Sequence, residues 1–162
     1  MPTIINGTSS AITFPDSTIQ NTAFTGTAYP TGPAFSAYAS ATQNFTANSI
    51  TKIVYDTEEF DTNNNYASSR FTPTVAGYYQ INASFYIDGS MVLLTLYKNG
   101  SAYKRGQQAG SSGAITQGTV SSVVYCNGST DYIEIYGYSS STKASGSGSE
   151  QMYFNGAMIR GA

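Results

Sequence analysis

The sequence predicts an all-β protein built as a sandwich of two sheets. Three observations predict it. Apolar and polar residues alternate with period two in several stretches, Asn-Gly and Asp-Gly pairs punctuate those stretches, and no window sustains an apolar period of 3.6. Alternation of this kind places one face of a strand in a core and leaves the other outside.

From the N-terminus, residues 1–33 read as a short extended segment for anchoring and linking, and residues 34–162 as the folded domain. The segment carries Ile12, Phe14, Ile19 and Phe24, too few apolar side chains for a core, and ends in a Pro/Gly linker from Thr25 to Pro33. It is expected to be ordered only against a partner chain or a larger assembly. In Tyr78 to Ile87 one face carries Tyr79, Ile81, Ala83, Phe85 and Ile87, and the other Tyr78, Gln80, Asn82, Ser84 and Tyr86. Val92, Leu94 and Leu96 share a face of the next strand. Val120, Val124 and Cys126 oppose Val123 and Tyr125 in the one after, and Ile133 and Ile135 oppose Tyr132, Glu134, Tyr136 and Tyr138 in the last. Asp88-Gly89 marks a turn, and Asn99-Gly100 and Asn127-Gly128 supply the positive-φ positions of tight hairpins. The Ser/Gly-rich stretch from Ser139 to Gln151 is expected to be a mobile display loop.

Composition narrows the function. The chain has 162 residues, enough for one domain with a real core. Only 10% of them are charged, against about 25% in ordinary domains, so Ser, Thr, Asn, Gly and Tyr must cover the surface. A net charge of -2 favours neither nucleic acid nor an anionic membrane. With no histidine, Ser-His-Asp and Cys-His catalysis are excluded, and a single cysteine leaves no zinc-ligand set. No phosphate-binding Gly-rich loop with its lysine is present. Asp56, Glu58, Glu59, Asp61 and Asp88 offer carboxylates for glycoside hydrolysis, but no cleft is apparent to hold a pair. The run Asp56 to Asp61, followed by three asparagines, has oxygen ligands for calcium but lacks the EF-hand spacing and glycine. It reads as a solvated turn, as does the small basic spot of Lys98, Lys104 and Arg105. Cys126, in an alternating strand, reads as a small buried apolar residue. No enzymatic activity, cofactor or metal is expected.

The N-terminus lacks the basic and apolar regions of a signal peptide, so synthesis in a cytosol is expected, and any export needs another route, of which particle assembly followed by lysis is one. The sequons at Asn6, Asn44, Asn82, Asn99 and Asn127 then follow from a composition rich in Asn, Ser and Thr. No stretch is long enough to span a bilayer.

Several short pieces, in order, resemble the C1q-like domain. Ala34 to Ala37 resembles its first strand. Phe60-Asp61 through Asn65-Tyr66 resembles its Asp/Asn-rich approach to a tyrosine. Phe71-Thr72-Pro73, followed by Gly77-Tyr78-Tyr79, resembles its central motif, although Phe-Thr-Pro is one residue short of the usual spacing. Leu96 to Gly100 resembles its Lys-Asn-Gly hairpin, and Tyr153 to Gly156 its closing strand. The match covers about residues 34–162 and no collagen-like Gly-X-Y stalk precedes it. The resemblance implies a C1q/TNF-like jelly roll of two sheets that forms a homotrimer. It implies a threefold interface near Tyr78, Tyr86, Tyr125 and Tyr153, where tyrosine rings bury area and their hydroxyls find partners.

Residues Ile12 to Gln20 resemble a short motif of tail-fibre and other virion proteins of tailed phages. That implies a structural protein of the virion exterior, at the virion surface, attached to capsid or tail proteins through residues 1–33 by Ile12, Phe14, Ile19 and Phe24. Two roles fit. One is a tail fibre or receptor-binding tip that meets a host surface receptor, and the other a capsid decoration (cement) protein. The alternative from a different class is a soluble lectin-like or adhesive binding module.

Overall fold

The computed structural model describes residues 12–13, 19–20, 32–110 and 115–162. They fall into two compact units, Met1–Pro30 and Thr31–Ala162. In the first, β1 (Ile12–Thr13) pairs antiparallel with β2 (Ile19–Gln20), Ile12 opposite Gln20 and Thr13 opposite Ile19. Phe14 and Phe24 lie outside the described residues.

The second unit holds β3 (Ala34–Tyr38), β4 (Asn44–Phe45), β5 (Ser49–Lys52), β6 (Thr57–Asp61), β7 (Tyr66–Ala67), β8 (Arg70–Phe71), β9 (Ala76–Asp88), β10 (Val92–Lys98), β11 (Ser101–Ala109), β12 (Ile115–Asn127), β13 (Ile133–Ser139), β14 (Lys143–Ala144) and β15 (Tyr153–Gly161). There is no helix among the described residues. One sheet has five strands in the order β12-β9-β15-β3-β6. The other has six: β11-β10-β13-β8-β7, with β5 pairing the far end of β13. A small ribbon joins β14 to β4. Neighbouring strands in both sheets are antiparallel.

The alternation read from the sequence sets which side of each strand is buried. Tyr79, Ile81, Ala83, Phe85 and Ile87 of β9 are inside, with Val92, Leu94 and Leu96 of β10, Val120, Val124 and Cys126 of β12, and Ile133 and Ile135 of β13. Between the sheets Phe35 stacks on Phe71 at 4.3 Å and meets Phe154 edge-on at 4.8 Å. The Tyr66 ring stacks on Phe35 at 5.0 Å. Two buried tyrosines send their hydroxyls to backbone carbonyls, Tyr66 to Tyr55 and Tyr55 to Ser84. Such a bond offsets the cost of dehydrating a phenol. Burial pushes the Tyr55 phenol well above its usual pKa and the Cys126 thiol up to about 11, so Cys126 is a packed apolar group as read from the sequence.

Asn99 and Gly100, both at positive φ, form the two-residue turn between β10 and β11, with Lys98 opposite Ser101. Asn127-Gly128 is different from its reading as a tight hairpin. It opens a crossover from β12 in one sheet to β13 in the other. Asn127 Oδ1 accepts the amides of Ser129, Thr130 and Asp131, and a Cβ at Gly128 would sit 2.3 Å from the Ala76 nitrogen. The pair supplies positive φ for a turn in either setting, and only the pairing partners of β12 and β13 decide between them. Asp88-Gly89 likewise carries the chain from one sheet to the other.

The stretch Ser139–Gln151 also departs from expectation. It is fixed to the domain and is not a free display loop. Ser139 and Ser145 are buried, Lys143 and Ala144 pair with β4, and the amides of Gly146 and Gly148 bond to Tyr86 and Ala39 carbonyls. Its serines, read as loop composition, are hydrogen-bonding parts. Ser139 Oγ bonds Ser90 Oγ at 2.8 Å and donates to the Ser141 carbonyl at 2.6 Å.

Candidate functional site

The outer side of the five-stranded sheet is the broadest surface that sequence reasoning singled out. Residues on β9 and β12 with even and odd numbers, respectively, face outward there, because their neighbours are buried. One row across four strands runs Ser36, Asn155, Asn82 and Ser121, each directly opposite the next. Asn82 Nδ2 donates to Asn155 Oδ1 at 3.1 Å, and Ser121 Oγ donates to Asn82 Oδ1 at 2.8 Å. Gln80 Nε2 donates to Asn82 Oδ1 and Ser121 Oγ. Farther along, Gln117 Nε2 donates to Ser84 Oγ at 2.6 Å, and Ser84 Oγ to the Gln151 carbonyl. The row is an amide and hydroxyl network, neutral from Asn155 to Ser121 and ending on the Glu59 carboxylate, which accepts Ser36 Oγ. Beside it lies a shallow depression of about 280 Å³ bounded by Phe60, Gln80, Asn82 and Asn155.

Tyr78 and Tyr125 are paired in register at one end, their rings 5.4 Å apart, and are 42% and 41% exposed. Val123, Phe60 and Ile159 are exposed on the strands of the same sheet. Tyr86 is half-buried. It lies eight residues along β9 from Tyr78, roughly 26 Å at strand rise, and a Cβ at Gly146 would sit 2.5 Å from its ring. Tyr153 is half-buried opposite Tyr38. The four tyrosines named from the sequence therefore form no single cluster. Tyr78 and Tyr125 touch, and the other two are spread along the face. The amide network was missed, because the Asn155–Asn82 contact depends on register between strands 73 residues apart.

The outer side of the six-stranded sheet is built on charge. Glu134 is 3% exposed, and its Oε1 receives Lys52 Nζ at 2.7 Å and Arg70 Nε at 2.8 Å. Arg70 lies 4.1 Å over the Tyr132 ring. Burial works to raise the Glu134 pKa, but the hydrogen bonds and charges of Lys52 and Arg70 outweigh it and hold the carboxyl below its ordinary value. At the sheet's end Lys98 Nζ pairs with Asp131 at 2.9 Å, and Asn99 Nδ2 donates to the same carboxylate. Five of the seven cations, Lys52, Arg70, Lys98, Lys104 and Arg105, lie on this sheet's strands.

Three of the five carboxylates weighed for catalysis or calcium are spent locally. Asp56 accepts the Ser40 amide and hydroxyl, Glu59 accepts Ser36 Oγ at 2.6 Å, and Asp61 accepts the Tyr66 and Asn63 amides. Among the described residues no three His, Cys, Asp or Glu side chains are grouped to hold a metal ion.

No protein-family model matches the chain, and no curated protein sequence matches it. Solved structures do. The globular domain of zebrafish complement 1qA superposes with a TM-score of 0.63 at 16% identity, covering 81% of this chain and 99% of that one. Murine APRIL at pH 5.0 superposes with a TM-score of 0.62 at 8% identity, covering 79% and 99%. The Eiger TNF of S. frugiperda gives 0.56 at 10% identity, covering 81% and 95%. At these identities the likeness is one of fold. The domain is an all-β, two-sheet jelly roll of the C1q/TNF type.

Proposed function

We propose that this chain is a non-enzymatic structural module of a phage virion exterior, and that it assembles as a homotrimer through the outer side of its five-stranded sheet. The observation that carries the assembly is the uncharged middle of that side. Strands β3 and β12 contain no charged residue and β9 has only Asp88 at its end, so the sheet's other charges are confined to the edge strand β6, with Glu58, Glu59 and Asp61, and to Arg160 near the end of β15. Covering the amide and hydroxyl row and the exposed Tyr, Val and Phe side chains loses little, because the bonded polar atoms keep their partners. Covering the Glu134 cluster of the other sheet would dehydrate charges, at far greater cost. The virion role draws its support from the motif at Ile12 to Gln20. A two-stranded ribbon such as β1-β2 is marginal alone, in keeping with a segment that docks on a capsid or tail protein through Ile12, Phe14, Ile19 and Phe24.

Light scattering on the purified chain tests the assembly, with three times the chain mass expected; monomer mass at micromolar concentration would remove it. Quantitative mass spectrometry of purified particles tests the location. Hundreds of copies per particle make the chain a decoration (cement) protein. A few tens or fewer make it a tail fibre or receptor-binding tip. Absence from particles removes the virion role and leaves a soluble adhesive module.

A further inference from the structure

The outer side of the six-stranded sheet holds a groove of about 350 Å³, within the size range of small-ligand sites. Its floor is laid out by register. Ile50, Tyr138, Leu93 and Gln108 form one row across four strands, and Lys52, Tyr136, Thr95 and Arg105 form the next. Tyr136 is held from one side by Tyr97, stacked at 4.0 Å. Tyr138 is held by its hydroxyl, which donates to Asn48 Oδ1 at 2.6 Å.

Arg105 and Gln108 both line this groove, although residues three apart on a regular strand point to opposite faces. A bulge reconciles them. Thr95 lies opposite Arg105 and Leu93 opposite Gln108, so two steps on β10 face three on β11. The extra residue turns Gln108 back to the side of Arg105. Gly106 lets the bulge form, because a Cβ there would sit 2.1 Å from the Thr119 carbonyl oxygen. Among the described residues, the Arg105 side chain takes part in no hydrogen bond or ion pair. The one carboxylate in the adjoining row, Glu134, is already held by Lys52 and Arg70. The groove thus offers tyrosine and aliphatic surface, an amide and an unneutralised guanidinium.

We infer that this groove binds a carboxylated pyranose, a uronic-acid type of residue in a glycan. A sugar ring has apolar faces for Tyr136, Tyr138, Leu93 and Ile50, and edge hydroxyls for Gln108. Its carboxylate matches the planar donor fork of Arg105, which forms paired charge-assisted bonds with such groups. The inference goes beyond the assembly proposed above and does not depend on it, since the groove is complete within one chain.

The test titrates the full chain with methyl β-glucuronide and, separately, with methyl β-glucoside, following protein resonances by NMR. The glucuronide should bind at least about tenfold more tightly, the usual worth of a charge-assisted hydrogen bond. Arg105→Gln should erase that difference while the glucoside affinity stays within about twofold. Gln108→Glu, which sets a carboxylate beside the guanidinium, should weaken the glucuronide by a similar factor. Equal affinity for the two sugars, an unchanged preference in Arg105→Gln, or no binding of either at tens of millimolar would each overturn the inference. The chain's mass by light scattering is read on the same samples, so failure of the groove is distinguishable from failure of the trimer.

Discussion

On its outer side β9 presents Tyr78, Gln80, Asn82, Ser84 and Tyr86, and β13 presents Glu134, Tyr136 and Tyr138, with Tyr132 just before it. Both strands set polar groups between tyrosines, and both satisfy those groups through cross-strand neighbours. The difference is one of charge. Asn82 gathers Asn155, Ser121 and Gln80, all neutral. Glu134 gathers Lys52 and Arg70. A neutral network can be covered by another surface with small loss, whereas an ion cluster holds its water and resists covering. Two faces of one sandwich thereby differ in what covering them would cost, through the choice of a few side chains on similar strands.

The most disruptive way to break this contrast is to put charge on the neutral face. In the proposed trimer Tyr125→Glu should reduce the mass in light scattering about threefold, to that of a monomer, because an interface carboxylate must be dehydrated at a cost of several kcal/mol and the nearby Lys98 is already paired with Asp131. The same assay on Lys104→Glu, on the charged sheet, should show no change of mass. Next in size, Glu134→Ala leaves Lys52 and Arg70 facing each other. Both cations are partly exposed and solvent screens them, so the loss in urea unfolding should be about 1–3 kcal/mol, with the mass unaffected. Smaller again, Asn82→Ala removes the hub of the amide row and should cost about 1 kcal/mol in the same assay.

The smallest effect is with pH, and it belongs to the charged sheet. Glu134 and Asp131 have folded-state pKa values below their ordinary ones. Burial opposes this, and the Lys52, Arg70, Asn99 and Lys98 contacts prevail. A depressed carboxylate contributes its stability above its unfolded value and loses it as pH falls through the folded one. Melting temperature should therefore hold from pH 7 to about the ordinary glutamate value of 4.5 and fall below it. Glu134→Gln should flatten part of that fall, and an equal fall in the variant would assign it elsewhere.

Much of the fold was legible because period-two alternation is local. The buried faces of β9, β10, β12 and β13 follow it residue by residue, as Phe85, Leu94, Val124 and Ile135 show. What stayed hidden depends on contacts distant in sequence. The serines of Ser139–Gln151 look like loop residues until Ser139 is placed against Ser90 and Ser145 against Gln43. Asn127-Gly128 has hairpin chemistry but joins two sheets. Of the candidate site, Tyr78 and Tyr125 could be named from alternation and the family resemblance, whereas Asn155 and the Arg105–Gln108 pair could not. A cross-strand partner and a one-residue bulge leave no trace in hydropathy.

Gly106 has one more consequence. Its bare Cα lets β11, the edge of one sheet, lean on the Thr119 backbone of β12, the edge of the other. The sandwich is drawn shut along that seam. Open edge strands are where a foreign chain adds itself by backbone pairing and starts an aggregate. Here two of the four sheet edges shield each other, so along this seam a protein with few charged residues to keep its copies apart owes its cover to a missing methyl group.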